Sequence, residues 1–371
     1  MRYIWQHIKT IIETYKGDVP LAQFLKLYFK RYPILGSRDR KMLGAMAYSW
    51  YRCSKGIEIP SLKIEEKVNL CLRLCNNAPV PIPGAEDLPA NEIHFDADKL
   101  FPYGITLSDG MDKEAWLQSM LAQPELFIRV RKDKGKIISL LNEKKIPVHF
   151  ISDMCLALPN GAKIDEILPP DSYVVQDASS QQTGSFFTPK KNEQWYDCCA
   201  GAGGKSLLLK DFEPGVRLTV SDKRDSIIHN LQKRFRQYGH ILPVAHITDA
   251  ANPGQLDKAL GSKLFDHIIC DAPCSGSGTW ARTPEQLFFF DPSILEKYTA
   301  LQKDIAVNVS YHLKNGGRLI YITCSVFKTE NEDVVQGIIQ KTGLRLIESH
   351  LINGIPIKAD SMFVGIMKSK A

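Results

Sequence analysis

The sequence predicts an α/β protein in which a large domain, residues 176–371, carries a mostly parallel sheet covered by helices. Three observations carry this. From Gln176 onward, apolar strand-length runs alternate with helical stretches. A glycine-rich turn, "DCCAGAGGKS", joins the first of these strands to its helix. And "FDHIICDAP" is an almost unbroken apolar run, as expected of a strand buried on both faces.

The elements follow in chain order. Residues 1–75 form an all-helical domain: Ile4, Ile8, Ile11 and Ile12 repeat at helical spacing, and Pro20 suits a first helical turn. A helix capped at Ser37 buries Leu43, Ala47 and Trp50, and "SLKIEEKVNLCLRLC" is a fourth amphipathic helix. Residues 76–124 are rich in turn formers and are expected to be a linker or wrapping segment. Residues 125–175 make a small α/β subdomain: strand "ELFIRVR", helix "GKIISLLNEKK", then extended chain through "PVHFISDMCLALP". Five strands follow in the large domain, ending at "WYD", "TVSD", "HITD", "IICD" and "IYIT". Its functional side chains are expected at the carboxyl ends of those strands.

Composition narrows the function. Of 371 residues, 44% are apolar and 24% charged, which fits a globular protein. No apolar run is long enough to span a bilayer. Charges interrupt the apolar positions of "MRYIWQHIKTIIETYKGD", so no signal peptide is predicted and a cytoplasmic location is expected. Nine cysteines, an odd number without a CxxC pair, argue against a disulfide framework and a zinc site; no metal is predicted. Cys71 and Cys75 are read as core thiols, and so are Cys198 and Cys199 on packing grounds.

The net charge of +6 is concentrated. Residues 1–60 hold eleven Lys or Arg against four acids, and residues 127–146 hold seven against two. Each cluster alone could be a solvated face; together they suggest a track for phosphates. Arg129, Arg131, Lys132, Lys134 and Lys136 are its candidates, with Lys26, Lys30, Arg31, Arg38, Arg40 and Lys41 extending it.

Gly201, Gly203 and Gly204 remove side chains that would keep a ligand from backbone amides at a helix start. The run is neither a Walker loop nor a strict GxGxxG, and a plain packing turn is the alternative. Asp222 ends the next strand, where an acid can accept from ribose hydroxyls or simply cap a helix. Asp249 closes the third strand and could edge the same pocket.

Cys274 follows the fourth strand and Cys324 ends the fifth. If those strands are neighbours, about 4.8 Å apart, both thiols face one crevice. Such a pair suits nucleophilic catalysis at a poor carbon nucleophile. Cytosine C5 does not accept a methyl group directly, but a thiolate adding at C6 makes C5 enamine-like. The C5 proton and the enzyme must then leave, so a second ionisable group is useful. Lys205 and Arg318 are candidate sources of positive potential, and Asp271 can hold the base ring.

These motifs resemble the RNA 5-methylcytosine methyltransferases of the bacterial Sun/Fmu and eukaryotic Nop2/Sun group. The likeness runs over about residues 125–371 and is carried by "DAPCSGSGTW", "TCSV", "DCCAGAGGKS" and "YVVQDASSQQTG". It implies a class I, Rossmann-like methyltransferase domain that uses S-adenosylmethionine. It implies that Cys324 is the attacking thiol, that Cys274 assists release of the methylated RNA, and that Asp271 activates the base, with Lys205 beside it. The cofactor would be held by the turn from Cys199 and Ala200 through Gly201, Gly203, Gly204 and Lys205. Asp222, Lys223, Arg224, Asp249 and Asp271 complete that set.

Two departures stand out. Where the family has Ala-Pro-Gly-Gly-Lys, this chain has Gly201-Ala202-Gly203-Gly204-Lys205, and Ser361-Met362 replaces Gly-Phe before Phe363. "ELFIRVR" is similar to the segment where family arginines meet RNA, and the N-terminal helices resemble the RNA-binding extension of bacterial members. An internal base must be unpaired or extruded to reach such a thiol, and Trp280 and Arg282 could line its pocket. The resemblance points to ribosomal RNA or a ribosomal particle as partner, with no protein partner implied. Transfer RNA is the close alternative, and an RNA-binding assembly factor without catalysis a distant one. An amino-group methyltransferase would carry an Asp/Asn-Pro-Pro-aromatic tetrapeptide, which "DAPC" is not; no hydride-transfer site supports a dehydrogenase.

Overall fold

The structure is a computed structural model and describes residues 2–58, 62–76 and 95–370. The chain separates into two compact units. The first comprises Met1–Ile105, Asp112–Pro124 and Thr279–Pro292; the second comprises Thr106–Met111, Glu125–Gly278 and Ser293–Ala371.

The first unit is built on helices α1 (Arg2–Thr14), α2 (Leu21–Arg31), α3 (Ser37–Cys53) and α4 (Ile64–Leu74). Ile4, Ile8, Ile11, Leu43 and Ala47 bury their apolar stripe, while Trp50 is half-buried. The start of α3 is held by Asp39, which accepts the Gly36 N–H at 3.1 Å, rather than by a Ser37 cap. Part of the expected linker, residues 77–94, lies outside the described residues. The rest of it is folded. Asp112 caps α5 (Lys113–Ser119) by accepting the Ala115 N–H at 2.7 Å. The buried Arg52 guanidinium donates to the carbonyls of Met120 and Ala122, at 2.8 and 3.2 Å. A short helix and a buried cation hold this stretch, and neither leaves a periodic apolar signature.

In the second unit, four strands form an antiparallel sheet in the order β2-β3-β1-β4. They are β1 (Leu126–Val130), β2 (His149–Phe150), β3 (Cys155–Leu158) and β4 (Tyr173–Val175), with α6 (Lys134–Glu143) between β1 and β2. The short α7 (Ala178–Gln182) leads into the main sheet.

The main sheet has seven strands. They are β5 (Gln194–Asp197), β6 (Arg217–Asp222), β7 (Val244–Ile247), β8 (Phe265–Asp271), β9 (Leu313–Thr323), β10 (Arg345–Ile352) and β11 (Met362–Lys368). Their order is β10-β11-β9-β8-β5-β6-β7, parallel except where β11 meets β9 and β10. The alternating run thus gives the Rossmann-like sheet it predicted. The helices between its strands are α8 (Gly204–Phe212), α9 (Asp225–Gln237), α10 (Pro253–Leu260), α12 (Ile294–Ser310) and α13 (Glu332–Thr342); α11 (Pro284–Phe288) belongs to the first unit.

Successive side chains of β5 point to opposite faces. Trp195 packs with Leu207, Leu231 and Phe235 of α8 and α9, and Tyr196 with Ile305 and Val309 of α12. Strand order reverses between β5 and β8: β6 and β7 continue to one side, β9 to the other. That switch point opens a crevice at the carboxyl ends of the strands.

Arg129 and Arg131, expected to meet RNA, do something else here. Both turn onto Asp211 at the end of α8, together with His240. Arg131 Nη2 lies 2.7 Å from Asp211 Oδ1, Arg129 Nη1 bonds Oδ2, and Arg129 is 1% exposed. Burial would raise the Asp211 carboxyl, but hydrogen bonds from His240 and Arg131 and the charge of Arg129 hold it far below the usual carboxylate range. A depressed folded value means stability that is present above the ordinary value, near 4, and lost as pH falls through the folded one. Asp211→Asn leaves buried cations without their counter-charge and is expected to cost about 3–5 kcal/mol. Urea denaturation checks this: the wild-type protein should weaken below about pH 4, and the variant should lack that acid-dependent loss.

Candidate active site

The glycine turn sits at the end of β5. Gly201 and Gly203 have φ of +51° and +82°, in the left-handed region that favours glycine. A Cβ on Gly203 would lie 2.9 Å from Leu231 Cγ, so α9 packs against the turn itself. Gly201 has nothing within 4 Å of where a Cβ would stand, leaving that side of the turn open. Loss of the family's proline does not unmake the turn: Gly203 N–H donates to Ala200 O at 2.8 Å and α8 starts at Gly204.

Asp222 ends β6 with its side chain buried. It accepts the Gly201 N–H at 3.2 Å and the Arg224 Nε and Nη2 at 2.9 and 3.0 Å. Burial pushes its carboxyl up, but Arg224 and the amide hydrogen bonds outweigh that and lower it. The carboxylate is thus charged beside the turn, ready to accept from hydroxyls.

A cavity of about 610 Å³ opens here. Cys199, Asp222, Lys223, Arg224 and Asp249 line one end, and Asp271, Cys274 and Cys324 the other. Its size suits a nucleoside-sized ligand. With an open glycine turn, a buried acid for hydroxyls and thiols at the far end, these residues fit S-adenosylmethionine.

The two thiols do come together. β8 and β9 are parallel neighbours, with Asp271 opposite Ile322. Because the strands end level, Cys274 and Cys324 emerge into adjoining turns, and their sulfurs are 3.3 Å apart. Both cysteines are free and half-buried. The turns are locked backbone to backbone: Gly278 N–H donates to Cys324 O at 2.9 Å, and a Cβ on Gly278 would lie 2.0 Å from Ser361 O. Ser361 therefore packs its carbonyl directly on this loop at the position where the family pattern differs. The facing Cys324 sulfur and burial push the Cys274 thiol well up, with the charges of Cys324 and Glu330 adding. Either sulfur of the pair can donate to the other.

Lys205, in the first turn of α8, places Nζ 3.0 Å from Asp271 Oδ2 and 3.0 Å from Ser180 Oγ of α7. Asp271 therefore lines the cavity with the Lys205 ammonium as its hydrogen-bonded partner. Beneath them Asp197 is fully buried, accepts from Ser206 Oγ at 2.6 Å, and is pushed by burial up to about 7.

Other expected residues lie elsewhere. Arg318 lies in the middle of β9, donating to Phe187 O at 2.7 Å and to His267 Nδ1 at 3.2 Å, so it does not charge the thiol site. Trp280 is a packing anchor, buried in the first unit with its ring 5.8 Å from that of Trp116 and 4.9 Å from that of Phe290. Arg282 lies in that unit too, its N–H on Thr279 O. Lys132 pairs with Asp171 at 2.7 Å and Lys134 lies near Asp153, both at the surface. Lys136, Arg38, Arg40 and Lys41 are exposed.

Sequence reasoning passed over Ser180, Lys297 and Tyr298. Ile294, Lys297, Tyr298, Leu301 and Ile305 of α12 all line the cavity and follow helical spacing. That stripe reads as core, and only the polar tips at 297 and 298 hint at a wall. Among the described residues no His, Cys, Asp and Glu group could hold a metal ion, and no helix is long and apolar enough to cross a membrane.

Residues 185–363 match the family described as 16S rRNA methyltransferase RsmB/F. The ribosomal RNA small subunit methyltransferase B of Shewanella oneidensis is 28% identical over 232 residues, 61% of this chain and 53% of that protein. Its counterpart from Serratia proteamaculans is 33% identical over 185 residues, 48% of this chain and 41% of that protein. The chain thus spans about half the length of these relatives. The crystal structure of PH0851 shares the fold, with a TM-score of 0.70, 18% identity and 93% of each chain covered. Over residues 185–363 the chain is thus similar to the RsmB/F family of methyltransferases, in line with its motifs and its sheet.

Proposed function

We propose that this protein methylates C5 of cytosine in ribosomal RNA, using S-adenosylmethionine, in the cytoplasm. The observation that carries this is a pair of free thiols 3.3 Å apart at one end of a nucleoside-sized cavity. An N-methyltransferase has no use for them. The family match, and relatives named as small-subunit ribosomal RNA methyltransferases, support the choice of RNA.

The cofactor, when bound, supplies a methyl group on a sulfonium. The chain's residues do the rest. Cys324 thiolate bonds to C6, and the C5=C6 electron pair moves to C5 and the ring. The Asp271–Lys205 pair holds a proton for the ring nitrogen as charge builds there. C5 takes the methyl group. Once Cys324 is bonded to carbon, its charge no longer opposes ionisation of Cys274. Cys274 then gives its proton to solvent and accepts the proton from C5. The pair left by that proton restores C5=C6 as the C6–S bond breaks, and Cys324 departs as thiolate.

Exposed Lys26, Lys30, Arg31, Arg38, Arg40, Lys41 and Lys136, with Lys132 and Lys134, remain candidates to grip phosphates; Arg129 and Arg131 are occupied by Asp211. RNA binding should therefore weaken steeply with salt. The test is a map of 5-methylcytosine across total RNA, with and without the protein. The expected result is loss of a site in small-subunit ribosomal RNA. Loss confined to transfer RNA would move the substrate, and no loss in any RNA would overturn the proposal.

A further inference from the structure

One buried acid belongs to no step above. Glu330 lies in the 3-10 turn after Cys324 and is 0% exposed. Its Oε1 accepts the Ser275 N–H at 2.8 Å and the Gln302 Nε2 at 3.1 Å. Its Oε2 accepts the Ser275 and Ser325 hydroxyls at 2.5 and 2.6 Å. All four donors are neutral. Tyr321 O–H donates to the Glu330 carbonyl at 2.7 Å, fixing the backbone as well.

The placement is specific. Ser275 follows Cys274 and Ser325 follows Cys324, so one carboxylate grips the residue after each thiol. Ser277 Oγ stands 3.0 Å from Ser325 Oγ and accepts the Val326 N–H at 2.9 Å, closing the same network. Gln302, on α12, also donates to Pro273 O at 2.9 Å, just before Cys274. A buried charge paired only with neutral dipoles keeps most of its field.

We propose that Glu330 is a positioning residue that pins the two cysteine turns together and, with its carboxylate on both the amide and the hydroxyl of Ser275 just after Cys274, disfavours a thiolate at Cys274. The inference rests on the proposed function for its purpose, since a chemically identical pair of thiols must be told apart before one can attack and the other wait. The neighbours of Cys274 agree with it. The facing groups are Cys324, Glu330, Asp271 and Tyr298; Lys297 lines the same cavity, Lys205 pairs with Asp271, and Lys223 and Arg224 line it beside Asp222. The raised Cys274 thiol has its largest cause in Cys324, and Glu330 adds in the same direction.

Thiol alkylation tests this without RNA. The full chain is treated with limiting iodoacetamide at neutral pH, and modification of Cys274 and Cys324 is followed by peptide mass spectrometry. In the wild-type protein Cys324 should react about tenfold faster or more, the thiolate difference of one pKa unit. Glu330→Gln should cut that preference by about tenfold, whereas Glu330→Asp, which keeps the charge, should restore most of it. S-adenosylmethionine binding reports whether each variant is folded. Equal wild-type rates overturn the proposal whatever the variants do, and so does a folded Glu330→Gln whose preference is unchanged. A protein that shows the preference and its loss but methylates no RNA upholds the role of Glu330 and overturns the proposed function.

Discussion

Cys274→Ala, incubated with RNA and S-adenosylmethionine, accumulates a protein–RNA adduct that survives denaturation, and Cys324→Ala forms none. The asymmetry follows from the geometry. Both sulfurs face one cavity 3.3 Å apart, so either could reach a base placed there. Their roles differ in the proposed sequence of steps: Cys324 attacks C6 and Cys274 takes the C5 proton. With Cys324 intact and Cys274 gone, attack and methyl transfer proceed, but no thiolate takes the C5 proton and the C6–S bond stays. With Cys324 gone, attack does not occur. Turnover should fall by on the order of 10⁴ or more for Cys324→Ala, the scale on which removal of a nucleophile is felt. Denaturing gel electrophoresis with labelled RNA reads the result. Equal adduct from both variants would refute the assigned roles.

Asp271→Asn should be nearly as severe. The substitution keeps the shape at the end of β8 but leaves the Lys205 ammonium with Ser180 alone. The ring nitrogen loses the acid that holds its proton, a loss of about 10²–10⁴ in the chemical step. The Asp222 end of the cavity is untouched, so the KM for S-adenosylmethionine should move no more than a few-fold. Combined with Cys274→Ala, the substitution should also suppress the adduct, because attack at C6 then builds charge without relief. Single-turnover kinetics separate the two effects. Activity within threefold of wild type would remove Asp271 from the mechanism.

Much of this site is legible in the sequence because it lies where strands stop. Asp222, Asp271, Cys274 and Cys324 each sit at a change from an apolar run to a turn, and parallel sheets gather such ends in one crevice. What sequence left out shares a different cause. Arg129 and Arg131 look like surface cations on a strand, yet their partner Asp211 is about 80 residues away and buried with them. The acid at 330 reads as part of a polar run, and only folding brings it to Ser275 across 55 positions. β10 escapes because it is an edge strand, largely exposed, with a bulge between Leu346 and Glu348 that breaks its alternation. The helical wall of the cavity is hidden for the opposite reason: its apolar spacing is indistinguishable from that of a core helix.

The central claim is that Cys324 is the atom that bonds to the base. Mass spectrometric sequencing of the adduct trapped on Cys274→Ala, after nuclease digestion, tests it most directly. The expected spectrum carries a 5-methylcytidine-derived mass on the peptide containing Cys324. A nucleotide mass on any other residue, or an adduct on an unmethylated uridine, would contradict it.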